Sequence, residues 1–317
     1  MVGLRAAACK LLIMDSIRWA FPCGSWVPTR DEWLLCASCV QPEEKHRIGQ
    51  FVFTRDAKAA MAGRLLIRKL IAEQLQIPWD KILLQRTAKG KPFLAGDISA
   101  QHQTYNFNVS HQGDYAVLAA EPERQVGIDI MKTDLPGSSS IEDFFRIMKR
   151  QFTEKEWSSI RSMRSDWTQL DMFYRHWALK ESFIKAIGVG LGFNLQRIEF
   201  EVSPINMEIG NVYTETKMWL DEEEEQWSFE EAMLDNQHHV AVALGEAKKN
   251  QQNPEVYVSE DCPTADPQNE ISTGISFTIL SFEDLIASAI PMEPKDSSYW
   301  DNFNSKQDVP FRQRLKR

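Results

Sequence analysis

No apolar run in the 317 residues approaches the roughly 18 needed to cross a bilayer. Cysteine is scarce: five residues, at positions 9, 23, 36, 39 and 262. An odd count with no convincing secretory signal predicts a reducing compartment and excludes a disulfide framework. Cys36 and Cys39 form a CxxC pair, but no second CxxC and no spaced histidine pair accompanies it, so a structural zinc site is not expected. The pair reads as two partly buried thiols on a strand. There is no Walker loop and no kinase motif set, which excludes those nucleotide enzymes. Basic residues are in deficit, 36 Lys and Arg against 45 Asp and Glu, for a net charge of −9. That balance argues against nucleic acid as a partner while leaving room for a local basic pocket. The first fourteen residues hold Arg5 and Lys10 without an acid, a stretch too short and too poor in Arg and Ser for a transit peptide. The chain reads as a cytosolic protein that does not enter membranes.

Hydrophobic residues make up 43% of the chain, enough for a substantial core, and the length suits two domains or one large one. Residues 32–40 read as a short strand, and residues 57–75 carry helical spacing of apolar positions. A strand near 82–85 leads into the loop TAKGKPFLAG, and residues 105–120 read as two strands around a glycine turn. VGIDIM is a strand by its β-branched content. Thr153 and Glu156 have capping-box spacing at a helix start. A second long helix over 169–187 is broken by Gly188, Gly190 and Gly192. The strand NLQRIEFEV and the hairpin WSFEEAML–DNQ–HHVAVALG follow.

This order hints at duplication, with LLQR (83–86) answering NLQR (194–197) and YAVLAAE (115–121) answering VAVALGE (240–246). The expected fold is α+β: a pseudo-dimer of two similar lobes, residues 1–120 and 121–247. Each has a mostly antiparallel sheet and a long helix, with a ligand cleft between them. Residues 248–317 form a polar, partly disordered extension. Within it FTILSFEDLIASAI is expected to dock as a strand or helix, and the terminal RQRLKR reads as a solvated tail.

Four segments could carry chemistry. In VGIDIM, alternation places Asp129 with Gly127 and Met131, opposite Val126, Ile128 and Ile130; a lone acid among apolar neighbours calls for a partner or a metal. In HWALKESFIKAIG, Glu181 borders the stripe of Phe173, Trp177, Ile184 and Ile187, with Lys185 one turn on. Its bland reading is a solvated i,i+4 ion pair. In RTAKGKP, the cations Arg86, Lys89 and Lys91 surround Gly90 before Pro92, a set suited to phosphate. In FNVSH, Asn108, Ser110 and His111 gather polar groups at a strand end. By contrast, DEEEE (221–225) reads as a solvated turn, and His238 and His239 face opposite sides of a strand and would not chelate one ion.

In the order GKP, FNVSH, GIDI, FTEKEW, WALKESFIKAIG, these segments over residues 30–245 resemble the larger, surfactin-synthetase-activating type of phosphopantetheinyl transferase, in its animal branch. The resemblance implies transfer of 4′-phosphopantetheine from coenzyme A to a serine of an apo carrier protein, with Mg2+ as cofactor. It implies Asp129 and Glu181 as magnesium ligands, Lys185 at the pyrophosphate and His111 near the nucleotide phosphates. The chemistry required makes Glu181 the choice for general base, directly or through a metal-bound water. Arg47, Arg86, Lys89, Gly90, Lys91, Pro92, Asn108 and Ser110 match positions that cradle the nucleotide. Bacterial relatives often carry another acid where this chain has Met131, a poor ligand for magnesium; Gln112 is the candidate to hold a water there. The implied partners are acyl carrier domains of fatty acid synthase and of the aminoadipate pathway enzyme, bound by a monomer through a surface such as Lys149, Arg150, Arg161 and Arg164 near Phe152 and Trp157. The alternatives are a non-catalytic coenzyme A-binding protein, which would release no 3′,5′-ADP, and an adaptor acting through the extension, which deletion beyond residue 248 would disable.

Overall fold

The computed structural model describes residues 14–96, 105–135, 137, 140–190, 192–246 and 274–308. The first thirteen residues, Cys9, Cys262 and the RQRLKR tail lie outside the described residues.

The first lobe runs β1 (Ile17–Phe21), α1 (Arg30–Ser38), α2 (Pro42–Gly49), α3 (Thr54–Gln74), β2 (Leu84–Arg86), β3 (Pro92–Leu94), β4 (Tyr105–Gln112) and β5 (Tyr115–Pro122). The second runs β6 (Arg124–Lys132), α4 (Ile141–Ile147), α5 (Glu154–Arg161), α6 (Asp166–Ile187), β7 (Ile198–Glu201), β8 (Val212–Tyr213), β9 (Lys217–Leu220), β10 (Glu223–Glu224), β11 (Ser228–Asp235) and β12 (His238–Glu246). A closing segment adds β13 (Thr278–Ile279), α7 (Phe282–Ile286) and α8 (Ser297–Asn304).

The sheets run β13-β1-β5-β4 and β6-β12-β11-β8. Within them β1-β5-β4 and β6-β12-β11 are the same antiparallel arrangement, and the matching AVxA segments are the two central strands. The LQR match is shifted. It falls on strand β2 in the first lobe but on a 3-10 turn, Leu195–Arg197, ahead of β7 in the second. What repeats is the element order, since a similar turn, Trp79–Lys81, precedes β2.

Strand alternation sorts the core into layers. Ala116, Leu118 and Ala120 of β5 join the cluster around α3, while Val117 and Ala119 face Val126, Ile128, Ile130, Val240 and Val242 across the lobe interface. On the far side Ala241 and Ala243 pack with Leu179 and Phe183 of α6. The result is helix, sheet, sheet, helix.

Where β4 meets β6, alternate side chains of β4 take over the bonding that a backbone ladder would supply. Asn106 Nδ2 donates to Arg124 O (2.9 Å), Asn108 Oδ1 accepts from Ile128 N (3.0 Å), and Gln112 Oε1 accepts from Lys132 N (2.5 Å). The first is half-buried, the second buried and the third exposed, and each satisfies a backbone group at a sheet edge. At the opposite side of the interface buried Arg18 of β1 binds Glu230 of β11 at 2.6 Å and also pairs with Glu121.

The structure corrects one expectation. Residues 32–40 are not a strand: Thr29 and Glu32 form a capping box and start α1. The apolar run WLLCASCV fits either period, so the cap decides; Cys36 and Cys39 are free thiols buried in and just after a helix. Within the closing segment FTILSFEDLIASAI docks, as expected, and supplies both a short strand and a short helix. β13 extends the first sheet beside β1, and α7 and α8 cover aromatic residues of the first lobe, with Trp33 stacked on Phe303 at 3.9 Å.

Candidate active site

A cleft of about 670 Å³ opens between the lobes, walled by α3, β4, α6 and the loops around residues 89 and 190. Arg47, Arg86, Lys89, Gly90, Lys91, Pro92, Asn108, Ser110, His111, Glu181 and Lys185 all line it. Asp129 does not. It lies behind that wall, only 5% exposed, and accepts hydrogen bonds from Ser110 Oγ (2.8 Å) and Lys185 Nζ (2.5 Å). Lys185 Nζ also reaches Ser110 Oγ at 2.7 Å.

Local sequence explains this convergence. Asp129 is at the middle of β6, and Gly127, two residues earlier on the same face, lets α6 lie directly on the strand. A Cβ there would fall 2.1 Å from Ser182 O and 2.3 Å from Ala186 N. The helix is held in register by the Ser165 capping box and ends at Gly188, which adopts φ +71°. Glu181 and Lys185 therefore project from one face over β6. They do not form the solvated i,i+4 pair: Lys185 is bound to Asp129, and the half-buried Glu181 carboxylate accepts no hydrogen bond among the described residues. Burial raises the Glu181 pKa above the ordinary glutamate value, the Asp129 charge adds to the rise, and Lys185 opposes it.

Opposite stands the basic wall. The loop after β2 turns at Gly90, whose φ of +84° suits glycine. It bridges the lobes, because Lys89 Nζ donates to Val189 O (2.5 Å) and Lys91 Nζ to Lys185 O (3.3 Å). His111 opens to solvent at the rim. Enclosure by the cleft walls holds its pKa below the ordinary histidine value, and the nearby Lys185 cation lowers it further, which favours the neutral ring.

Sequence reasoning missed the hub of this wall. Glu44 of α2, 8% exposed, pairs with Arg47 (3.1 Å), Arg86 (3.0 Å) and Arg64 (3.7 Å). Burial works against its charge, but the Arg86 hydrogen bond and the three guanidinium groups hold its pKa below the ordinary value. Arg64 is 5% exposed, lines the cleft, and has buried Nε and Nη1 atoms without hydrogen-bond partners among the described residues. Burial pulls its pKa down to about 10, with Glu44 opposing. The signal was Ala60, Gly63 and Arg64 at helical spacing, two small residues leaving room beside a cation. Arg64→Met is expected to weaken binding of the coenzyme A that the resemblance implies about tenfold or more, the scale of a charge-assisted hydrogen bond. Calorimetric titration of the free nucleotide checks this; unchanged affinity would remove Arg64 from the site.

Lys180, beside Glu181 in sequence, points the other way. It is buried against Glu156, the α5 capping residue, at 2.6 Å and donates to Gln151 O, Leu195 O and Ile198 O. Gln151 and Leu195 line the cleft, so this ion pair shapes its floor.

The donor set suits magnesium. Asp129 and Glu181 supply two hard carboxylates beside the lysines and arginines of the cleft, and magnesium commonly takes one or two carboxylates, waters and substrate phosphate oxygens. No cluster of three or more His, Cys, Asp or Glu able to hold a metal occurs among the described residues. Met131 packs at the edge of the α6-side core, and the Gln112 oxygen is engaged by Lys132 N. His238 and His239 diverge as expected, toward Asp235 and Asp171.

The chain belongs to the 4′-phosphopantetheinyl transferase family. Residues 24–123 match the family model described as 4′-phosphopantetheinyl transferase, N-terminal, and residues 125–243 match that of the 4′-phosphopantetheinyl transferase superfamily. The junction falls at the turn between β5 and β6, where the fold repeats. The chain is 68% identical over 315 residues to the L-aminoadipate-semialdehyde dehydrogenase-phosphopantetheinyl transferase of Xenopus laevis, covering 99% of this chain and 100% of that one. It is 61% identical to the Homo sapiens enzyme of the same name over 305 residues, 96% of each chain. The Bacillus subtilis 4′-phosphopantetheinyl transferase Sfp is 34% identical over 158 residues, 50% of this chain and 64% of that one. No helix among the described residues is long and apolar enough to cross a membrane.

Proposed function

We propose that this chain transfers 4′-phosphopantetheine from coenzyme A to a serine of an apo carrier domain. The observation that carries the reading is a half-buried Glu181 carboxylate, without a hydrogen bond among the described residues, beside the Asp129–Lys185–Ser110 group and facing a wall of arginine and lysine. The serine hydroxyl attacks the phosphorus bearing pantetheine, a new P–O bond forms, and the bond to 3′,5′-ADP breaks. Glu181 accepts the hydroxyl proton; its raised pKa makes it a stronger base than an ordinary glutamate. Lys185 stabilises charge on the leaving phosphate, and Asp129 with Ser110 fixes its ammonium in place. The Glu44-centred arginines, with Lys89, Lys91 and neutral His111, hold the nucleotide phosphates. Asp129 and Glu181 would hold magnesium, which when bound neutralises pyrophosphate charge. Phosphoryl transfer needs little beyond this positioning and neutralisation.

The carrier docks on the second lobe, where exposed Lys149 and Arg150 flank Gln151 of the cleft and Arg161 lies over the Trp157 ring at 5.2 Å. An acidic carrier helix complements such a surface. The relatives' name supports the aminoadipate-semialdehyde dehydrogenase carrier as one target, and the family resemblance supports that of fatty acid synthase. A cytosolic monomer suffices, because the cleft lies within one chain.

Intact-mass spectrometry of an apo carrier protein incubated with this chain, coenzyme A and magnesium tests the proposal. A gain of about 340 Da, the mass of the transferred group, abolished by EDTA, is the expected result. Coenzyme A binding without any gain on several carriers would favour the non-catalytic reading.

A further inference from the structure

The wall that carries Arg47 and Glu44 is held from outside the lobe. α2 ends at Gly49, and a helix end leaves carbonyl oxygens without partners in the helix. A run 250 residues further on fills that need. Lys306 Nζ donates to Gly49 O (2.8 Å) and Phe51 O (2.6 Å), and Tyr299 Oη donates to Lys45 O (3.0 Å). Gln307 N donates to Val52 O (3.2 Å), and Gln307 O accepts from Thr54 N (2.8 Å), so the strip also fastens the link from α2 to α3. The strip is itself anchored, because Trp33 of α1 stacks on both Tyr299 and Phe303.

The connection to the cleft is short. Phe51, whose carbonyl Lys306 holds, lies with its ring 5.6 Å from the Arg47 guanidinium. Arg47 and Glu44 lie on α2, and Glu44 is the shared partner of Arg47, Arg64 and Arg86. A cation at a helix C-terminus satisfies its carbonyls and opposes its dipole, and the effect is confined to the last turn. Arg47 is in that last turn.

We propose that the segment around residues 299–307 is a clamp that sets affinity for coenzyme A, with Lys306 and Tyr299 as positioning residues that act through α2 and touch neither substrate. The inference rests on the coenzyme A reading of the cleft. It also gives the closing segment a part in coenzyme A binding.

The test uses the full chain with Lys306→Met, Tyr299→Phe, the double variant and Lys306→Arg. Wild-type binding and transfer are measured first; their absence would defeat the coenzyme A reading itself. With wild type active, Lys306→Met is expected to raise KM and Kd for coenzyme A about fivefold, the scale of a well-placed C-terminal cation, with the double variant higher still. kcat at saturating coenzyme A and KM for the carrier should stay within about twofold. Lys306→Arg, which can still donate to both carbonyls, should restore most of the affinity. Unchanged coenzyme A affinity in Lys306→Met overturns the clamp. So does a loss of activity that falls equally on kcat and both KM values and tracks the folded fraction, because that pattern marks a purely structural role.

Discussion

Glu181→Gln reduces carrier modification by about a thousandfold while coenzyme A binding remains measurable; this is the expected result, on the scale of losing a general base. Glutamine keeps the size of the side chain but cannot take the serine proton and is a weaker oxygen donor to magnesium. The stability of the metal-free protein should move the opposite way. The folded-state pKa of Glu181 is raised, so folding favours its protonated form. That contribution is fully present below the unfolded pKa and is lost as pH rises through the raised folded pKa. At neutral pH the wild type therefore bears an ionised carboxylate in a site that disfavours it, and the glutamine variant does not. In EDTA the variant should melt higher than wild type at neutral pH, and the gap should close on acidification toward the ordinary glutamate range. Full turnover by the variant would remove Glu181 from the chemistry. A melting difference that ignores pH would show that its environment is not the one described.

Replacing Gly127 has the largest expected effect on folding. The atoms a side chain would meet, Ser182 O and Ala186 N, belong to the backbone of α6 and cannot rotate aside. Either α6 retreats from β6 or the strand bends. Gly127→Val is expected to cost about 3 kcal/mol or more, beyond ordinary overpacking because no side chain can relax to absorb it. Gly127→Ala should already be strongly destabilising, since the clash begins at Cβ. Any retreat of α6 also parts Lys185 from Asp129, so transfer should fall further than the folded fraction does. Urea unfolding followed by activity at a fixed folded fraction measures both. An alanine variant of near wild-type stability would contradict the helix–strand contact.

Much of the fold is legible because its signals are local. The alternation of β5 and β6, the Thr153–Glu156 capping box, and the Gly188 stop each lie within a few residues of the structure they specify. The error at residues 32–40 has the same origin: an apolar run without clear period was read by composition, while the deciding Thr29 cap stood just outside it. In the cleft, the loop around Gly90 and the FNVSH strand are visible as polar or basic clusters. Glu44 is not, because it looks like one charged residue of a helix until burial is known, and Arg64 is marked only by the small residues Ala60 and Gly63 beside it.

The sequence by itself determined the two-lobed α+β plan, the candidate acids and cations, and the resemblance to phosphopantetheinyl transferases. Those follow from periodicity, caps and ordered short motifs, which are properties of neighbours along the chain. Tertiary structure alone decided that Lys185 pairs with Asp129 rather than with Glu181, that Lys180 turns inward to Glu156, and that Lys306 reaches back to α2. Each of those partnerships depends on which groups lose water together and where the nearest compensating charge or carbonyl then lies. For residues dozens to hundreds of positions apart, only the packed lobes bring those groups within reach.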